Sequence, residues 1–221
     1  MPSRDTLFVN RNGRKLAGRI DQPDSGETIG YALLAHCFTC SKELGSLRRL
    51  ARTIAEFGIG VLSFDFTGLG QSEGQFEETS FSSQASDLLD AFSYMKEEGM
   101  KPSVMIGHSL GGTATLYAAK ELPDVRAVAT IGAPADPAHV EGLFTGEVKS
   151  IEEEGQAMVS IGGRPFTIQR SFLEDIRDHP PEQWLAELKS DVMVLHSPVD
   201  NIVGIENAER IFKTIKHPKS F

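Results

Sequence analysis

Residues Val104-Met105-Ile106-Gly107-His108-Ser109-Leu110-Gly111-Gly112 leave the backbone few choices. A short apolar run meets a Gly-x-Ser-x-Gly pentapeptide, and a small-residue segment follows. The spacing predicts a buried strand, a tight turn carrying Ser109, and a helix: a nucleophile elbow. A Cβ at position 107 or 111 would collide with the neighbouring strand or helix, so both positions are glycine. The helix starts at the serine, so its free N–H groups and positive dipole end face any anion that forms there. Gly-x-Ser-x-Gly alone also fits an ordinary glycine-rich loop. The flanking strand and helix, with the acidic residue further on, favour the elbow.

The rest of the chain repeats strand and helix. Thr6–Val9 and Leu16–Ile20 flank Asn12-Gly13 as a hairpin, and Pro23–Gly26 is a second turn. Ile29–Ala35 is almost continuously apolar, as a strand covered on both faces should be. Leu47, Leu50, Ala51, Ile54 and Phe57 form one apolar helix face, ended by Gly58. Ile59–Phe64 is a second buried strand. Its exit loop, Asp65–Gly74, is rich in glycine but lacks the lysine and helix start of a phosphate-binding loop, so it reads as turn geometry. Phe81–Met95 is a second amphipathic helix, and Val125–Ile131 another strand. From Asp136 to Ser190 the alternation breaks. Gly162-Gly163 marks a hairpin between Ala157–Ile161 and Pro165–Ile168, and helices are expected at Arg170–Asp178 and Glu182–Leu188. Val192–Leu195 resumes the sheet, and Ile205–Ile215 is a last helix. The pattern predicts an α/β fold: an open, mostly parallel sheet with helices on both faces, whose sites lie at the carboxyl ends of the strands. Residues 1–221 form one domain, with 136–190 an insertion within it that covers the Ser109 pocket as a lid.

Composition narrows the function. A net charge of −9 argues against nucleic acid as a partner, which needs clustered Lys and Arg. No apolar run is long enough to span a bilayer and no secretory leader is visible, so a cytoplasmic chain without membrane association is expected. Cys37 and Cys40 form a Cys-x-x-Cys pair. They are too few for a four-thiolate zinc site, and cytoplasmic conditions favour reduced thiols near the pocket mouth over a redox dithiol. No metal and no cofactor are expected.

A serine nucleophile needs a general base, and the base needs an acid to orient it. Asp200 lies just past a strand end, after Ser109 in the chain, where such an acid belongs, although a turn-capping role is the plainer reading of that residue alone. An oxyanion hole needs two backbone N–H groups. Leu110 supplies one; the loop that begins at His36 supplies the other, and Phe38 is the expected donor. His36 itself shapes the loop.

On these residues the chain resembles an α/β-hydrolase over nearly its whole length. Ala35–Lys42, Phe64–Gly70, Ile131–Pro137 and Lys216–Phe221 resemble more narrowly the hydrolase half of two-part proteins in which an α/β-hydrolase precedes an OsmC-type domain. The resemblance implies a serine hydrolase with Ser109 as nucleophile and Asp200 as acid, acting on a small-molecule acyl substrate through an ester, thioester or related bond. It also implies an OsmC-type domain in the full-length product. In that family the catalytic histidine follows one further strand. His36, His108, His139, His179 and His196 all precede Asp200, and His217 comes before the expected strand. The chain is therefore expected to lack the last strand, the histidine and the closing helix, and to be inactive by itself. Its uncovered edge at Val192–Leu195 is expected either to drive homodimer formation or to be crossed by the tail folding back over it. Two other functions remain open at this point: a non-catalytic binding module of the same fold, and a thiol-redox partner of an OsmC-type domain through Cys37 and Cys40.

Overall fold

The apolar runs pair into one eight-stranded sheet. The computed structural model describes residues 2–24 and 27–221, so the turn expected at Pro23–Gly26 lies partly outside the described residues. β1 (Ser3–Val9) and β2 (Lys15–Asp21) form an antiparallel hairpin. β3 (Gly30–Ala35), α1 (Gly45–Glu56), β4 (Ile59–Phe64), α2 (Phe81–Glu97), β5 (Pro102–His108), α3 (Leu110–Ala119) and β6 (Ala127–Ile131) then alternate. An inserted region follows, with α4 (Val148–Glu154), the hairpin β7 (Gln156–Ile161) and β8 (Arg164–Gln169), α5 (Arg170–Arg177) and α6 (Pro181–Trp184). β9 (Asp191–Leu195), α7 (Ile205–Thr214) and β10 (Lys219–Ser220) return to the sheet. The order is β1-β2-β4-β3-β5-β6-β9-β10; β2 meets β4 antiparallel, and every later neighbour is parallel. β10 is a stub of a strand, paired to Val192 and Met193.

The continuous apolar character of the central strands follows from their two covered faces. Ala32, Leu34, Val61 and Ile106 point toward Leu47 and Ala51 of α1. Leu33, Ala35, Leu62 and Met105 point the other way, into the larger core beneath α2, α3, α7 and the inserted elements. Helix ends are set by local chemistry. Ser80 and Ser83 close a reciprocal capping box at the start of α2, and Gly99 at φ +77° leaves its far end.

Two expectations need correction. On α1 the buried line is Leu47, Ala51 and Ala55, while Phe57 is 75 % exposed. The helix stops at Glu56, and Gly58 at φ +87° turns the chain, so Phe57 falls outside the apolar face it would have continued. In the insertion, α4 and a 3₁₀ segment, Pro137–Leu143, were not foreseen. α4 ends in the acidic run Glu152-Glu153-Glu154, which opposes its own dipole and hides its one buried residue, Ile151, from a periodicity reading. The helix expected at Glu182–Leu188 is also shorter, since α6 ends at Trp184 and Leu185–Glu187 continues as a 3₁₀ turn.

These positions give a direct contrast in stability. Leu47→Ala should cost about 2–5 kcal/mol and Phe57→Ser no more than about 0.5 kcal/mol, measured as shifts in urea midpoints at constant slope.

Candidate active site

β5 and α3 meet at Ser109, which has φ 54° and ψ −134°. It is the one non-glycine residue with positive φ among the described residues. Such a conformation costs on the order of 1–3 kcal/mol and survives only where packing over-determines it. The packing here does so. A Cβ on Gly107 would come within 2.5 Å of the Gly111 carbonyl oxygen and of Gly112 Cα. A Cβ on Gly111 would strike the carbonyl oxygen of His36, and one on Gly112 would meet Ala133 at 2.7 Å. Strand, helix and the loop after β3 thus converge without room for a methyl group. The Ser109 N–H donates to the Ile131 carbonyl at 2.9 Å, fixing the turn to β6. Leu110 occupies the first helical position, where its N–H has no acceptor within the helix.

The loop after β3 is held at several points. His36 is buried. Its Nε2 accepts from the Phe66 N–H at 3.3 Å, which assigns the ring proton to Nδ1, and Nδ1 donates to the Cys37 carbonyl at 2.7 Å. Burial lowers the imidazole to a pKa of about 4, against opposing contributions from the Cys37 hydrogen bond and Asp65. His36 therefore stays neutral and braces the loop. Phe38 is buried, with its ring 5.1 Å from Phe172 and 5.4 Å from Phe76. Lys42 and Asp65 form an ion pair with both side chains buried: the Lys42 N–H donates to one carboxylate oxygen at 2.6 Å and Nζ to the other at 2.8 Å. Nζ also donates to Gln71 Oε1 at 2.7 Å.

Sequence reasoning expects reduced thiols at Cys37 and Cys40; the structure instead joins them in a disulfide, with Cα atoms 5.3 Å apart. A turn closed by the Cys40 N–H on the Cys37 carbonyl brings the two residues within bridging range. Spacing along the chain does not reveal that geometry.

Asp200 follows β9. Its Oδ1 accepts from the N–H groups of Ile202 (2.9 Å) and Val203 (3.0 Å). The Val203 hydrogen bond, with lesser help from Ile202, His196 and His108, holds the carboxyl below the ordinary carboxylate range. Oδ2 lies 4.0 Å from His196 Nε2. His196 cannot act as a mobile base, because that nitrogen is bound to the Val203 carbonyl at 2.7 Å. His108 is half-buried beside Ser109, and burial lowers its pKa against the pull of Asp200. His139 binds the Ile202 carbonyl at 2.9 Å, a contact with the Asp200 loop that no local sequence pattern announces. His179 is tied to the Asp175 carbonyl and Ser82. His217 is exposed just before β10, at the start of that strand and so at the opposite sheet edge from Ser109.

The inserted region reaches the same edge. Phe166 of β8 packs 4.8 Å from Phe76, and Phe172 of α5 stacks on Phe38. The Arg164 guanidinium donates to the Thr39 carbonyl. Phe144 and Trp184 are buried, whereas Leu143 remains partly exposed. Asp175 accepts from the Ser82 N–H at 2.9 Å and from its hydroxyl at 2.6 Å, fastening α5 to the start of α2.

A family described as serine aminopeptidase, S33, matches residues 32–151, more than half of the chain. The esterase domain of a Rhodothermus marinus protein, a solved structure, is 43% identical with a TM-score of 0.79, covering 100% of this chain and 87% of that one. Lysophosphatidylserine lipase ABHD12 of Danio rerio is 27% identical over 187 residues, covering 78% of this chain and 44% of that protein. The mitochondrial palmitoyl-protein thioesterase ABHD10 of Homo sapiens is 25% identical over 180 residues, covering 74% and 57%. The chain spans about half the length of these curated relatives.

The neutral, buried His36 predicts an acid-sensitive fold. Its folded pKa of about 4 lies below the ordinary 6.5, so as pH falls the unfolded chain takes up the proton first. Stability should be full above pH 6.5 and decline toward pH 4. Urea unfolding at pH 7 and pH 5 checks this, with a shallower decline expected in His36→Asn.

Proposed function

The chain belongs to the serine aminopeptidase S33 family and has the α/β-hydrolase fold, and on that premise we propose that it is a serine hydrolase domain acting on an ester, thioester or related acyl bond of a small molecule. The observation that carries this reading is the strained Ser109 conformation, held where three elements meet and facing the free N–H end of α3. Ser109 Oγ attacks the acyl carbonyl as a general base takes its proton. The carbonyl oxygen, now negative, accepts hydrogen bonds from the N–H groups of Leu110 and Phe38. Collapse expels the leaving group, which takes the proton back from the base. Water then hydrolyses the acyl-serine by the same route in reverse. Asp200 orients the base and stabilises its charged form. The aromatic contacts of residues 136–190 with Phe38 and Phe76 support a lid role for that region.

The base is the missing partner among these residues. Four histidines are committed to backbone carbonyls, His217 stands at the far edge, and His108 is the nucleophile's own neighbour. A polypeptide limited to residues 1–221 should therefore turn over slowly. The narrower resemblance supports an OsmC-type domain in the full-length product. The expected test is an aryl-ester or aryl-thioester assay of residues 1–221 beside the full-length product. The full-length product should be the faster by a large factor. Ser109→Ala should abolish its activity, and Asp200→Asn should lower it about 10⁴-fold. Undiminished turnover in Ser109→Ala would sink the nucleophile assignment, and intact ligand binding without turnover in the full-length protein would favour a non-catalytic module.

We also propose self-association of residues 1–221 through the β9–β10 edge, where the tail covers only Val192 and Met193 and no strand among the described residues pairs with Val194 and Leu195 on that side. Met193 and Leu195 are nearly half exposed there, beside an open apolar groove of about 440 Å³ that includes Val104 and Ala129. Sedimentation should show a dimer that Met193→Lys weakens; a monomer across the accessible concentration range would refute it.

A further inference from the structure

We propose that the Cys37–Cys40 disulfide is a thiol-exchange site: a dithiol reductant opens it and frees the loop that carries the Phe38 N–H. The consequence for catalysis rests on the assignment of that N–H to the oxyanion hole. The disulfide closes a ring around only two residues, Phe38 and Thr39, both buried. Cys37 and Cys40 themselves are half-buried, so a small thiol can reach the ring from outside. Short rings add little global stability, because the entropy removed from the unfolded chain grows with loop length. The effect of this bond is therefore local. The surroundings are built to keep it so. His36 on one side and Lys42 on the other are fastened to Phe66 and Asp65 whatever the state of the sulfurs. Between them, the Phe38 ring contacts, the Arg164 donation to the Thr39 carbonyl and the Cys40 N–H on the Cys37 carbonyl shape the segment, and the sulfur bond is the covalent restraint that closes it. Arg164 also brings a fixed positive charge onto the loop, which favours a departing thiolate.

In the exchange, one thiolate of the dithiol attacks the sulfur of one cysteine. The protein S–S bond breaks, and the other cysteine leaves as a thiolate and is protonated. The second sulfur of the reductant, after losing its proton, attacks the mixed disulfide and releases the first cysteine. The reductant ends as a cyclic disulfide, and two electrons and two protons have passed to the protein. The oxidised ring presents the Phe38 N–H in a fixed direction; the reduced loop does not.

The test uses residues 1–221 with dithiothreitol as the dithiol. Native protein is equilibrated across ratios of reduced to oxidised dithiothreitol, quenched in acid and alkylated, and hydrogen exchange is followed on the peptide spanning residues 36–42. Both cysteines should become alkylated together without denaturant. Amide exchange in that peptide should rise at least tenfold on reduction, fall again on oxidation, and leave the rest of the chain unchanged. The double variant Cys37→Ser/Cys40→Ser should exchange fast in either buffer. Thiols that appear only after unfolding, or equal exchange in both states, would overturn the proposal. The rate at which an aryl phosphonate labels Ser109 in the full-length product, which supplies the base, gives the catalytic readout, with a fall of about 10²-fold or more expected on reduction. A loop that opens while labelling stays constant would overturn its control of the oxyanion hole. No labelling in either state would count against the hydrolase reading alone, and the exchange measurement would still decide the switch.

Discussion

The buried pair of Lys42 and Asp65 is the interaction on which the geometry of this sheet edge depends. Taking both charges out of water costs several kcal/mol each, so the pair cannot be justified by attraction alone. Its hydrogen bonds make up the difference. One carboxylate oxygen accepts from the Lys42 backbone; the other accepts from Lys42 Nζ and from the Gln71 N–H at 3.0 Å. Gly70, at φ +55°, passes so close to the carboxylate that a Cβ would overlap it. The glycine-rich exit of β4 is thus a wrapping around one anion. A parallel sheet sets β3 beside β4, and the pair then joins their exit loops at a single fixed separation. Removing one partner would leave the other charged in a dry site, at a cost of about 3–5 kcal/mol. Exposed pairs such as Lys213–Glu209 contribute far less.

That fixed separation is transmitted to Ser109 by contact. Lys42 anchors one end of the loop after β3, and His36, bridging to Phe66, anchors the other. The His36 carbonyl then rests against Gly111, the second residue of α3. A shift of the loop would push on the helix start, and a shift of the helix would release the strained Ser109. The elbow is stable because β5, β6 and the β3 loop restrain it together, each through backbone rather than through flexible side chains.

This division explains how much was legible in the sequence. The strands were, because two covered faces require a run such as Ala32–Ala35 to be apolar throughout and Val61–Phe64 to be apolar but for the small, buried Ser63. The elbow was, because its steric demand falls on glycines at fixed offsets from one serine. Asp200 could be placed after β9, though its hydrogen bonds to Ile202 and Val203 could not. Contacts between distant residues left no local trace. Nothing near Lys42 announces Asp65, and nothing near Thr39 announces Arg164, whose side chain arrives from a different element of the insertion. The cysteines were misread for a related reason. Compartment chemistry argued for thiols, while the decisive quantity was the 5.3 Å between two Cα atoms across a turn. Phe57 shows the limit of periodicity, which continues an apolar line past the residue where the backbone has already left the helix.

The hydrogen bonds of Asp200 bear on how the proposed reaction would be completed. Oδ1 of Asp200 is occupied by two backbone N–H groups, and these, with the nearby imidazoles, keep the carboxyl ionised well below neutral pH. The stabilisation this gives the loop is complete above the ordinary carboxylate range and is lost as pH falls through the lowered folded value. Oδ2 is placed differently. Gly132, at φ +55°, lies beside it, where a Cβ would make only ordinary contact at 3.4 Å. His196 stops 4.0 Å short because its Nε2 is already bound to the Val203 carbonyl. One oxygen thus holds the loop; in the proposed reaction the other, near Gly132 at the exit of β6, accepts the imidazole N–H of the base. A base that used Oδ2 would have to enter from outside this framework of backbone-bound histidines, and the orientation of Asp200 leaves that approach open.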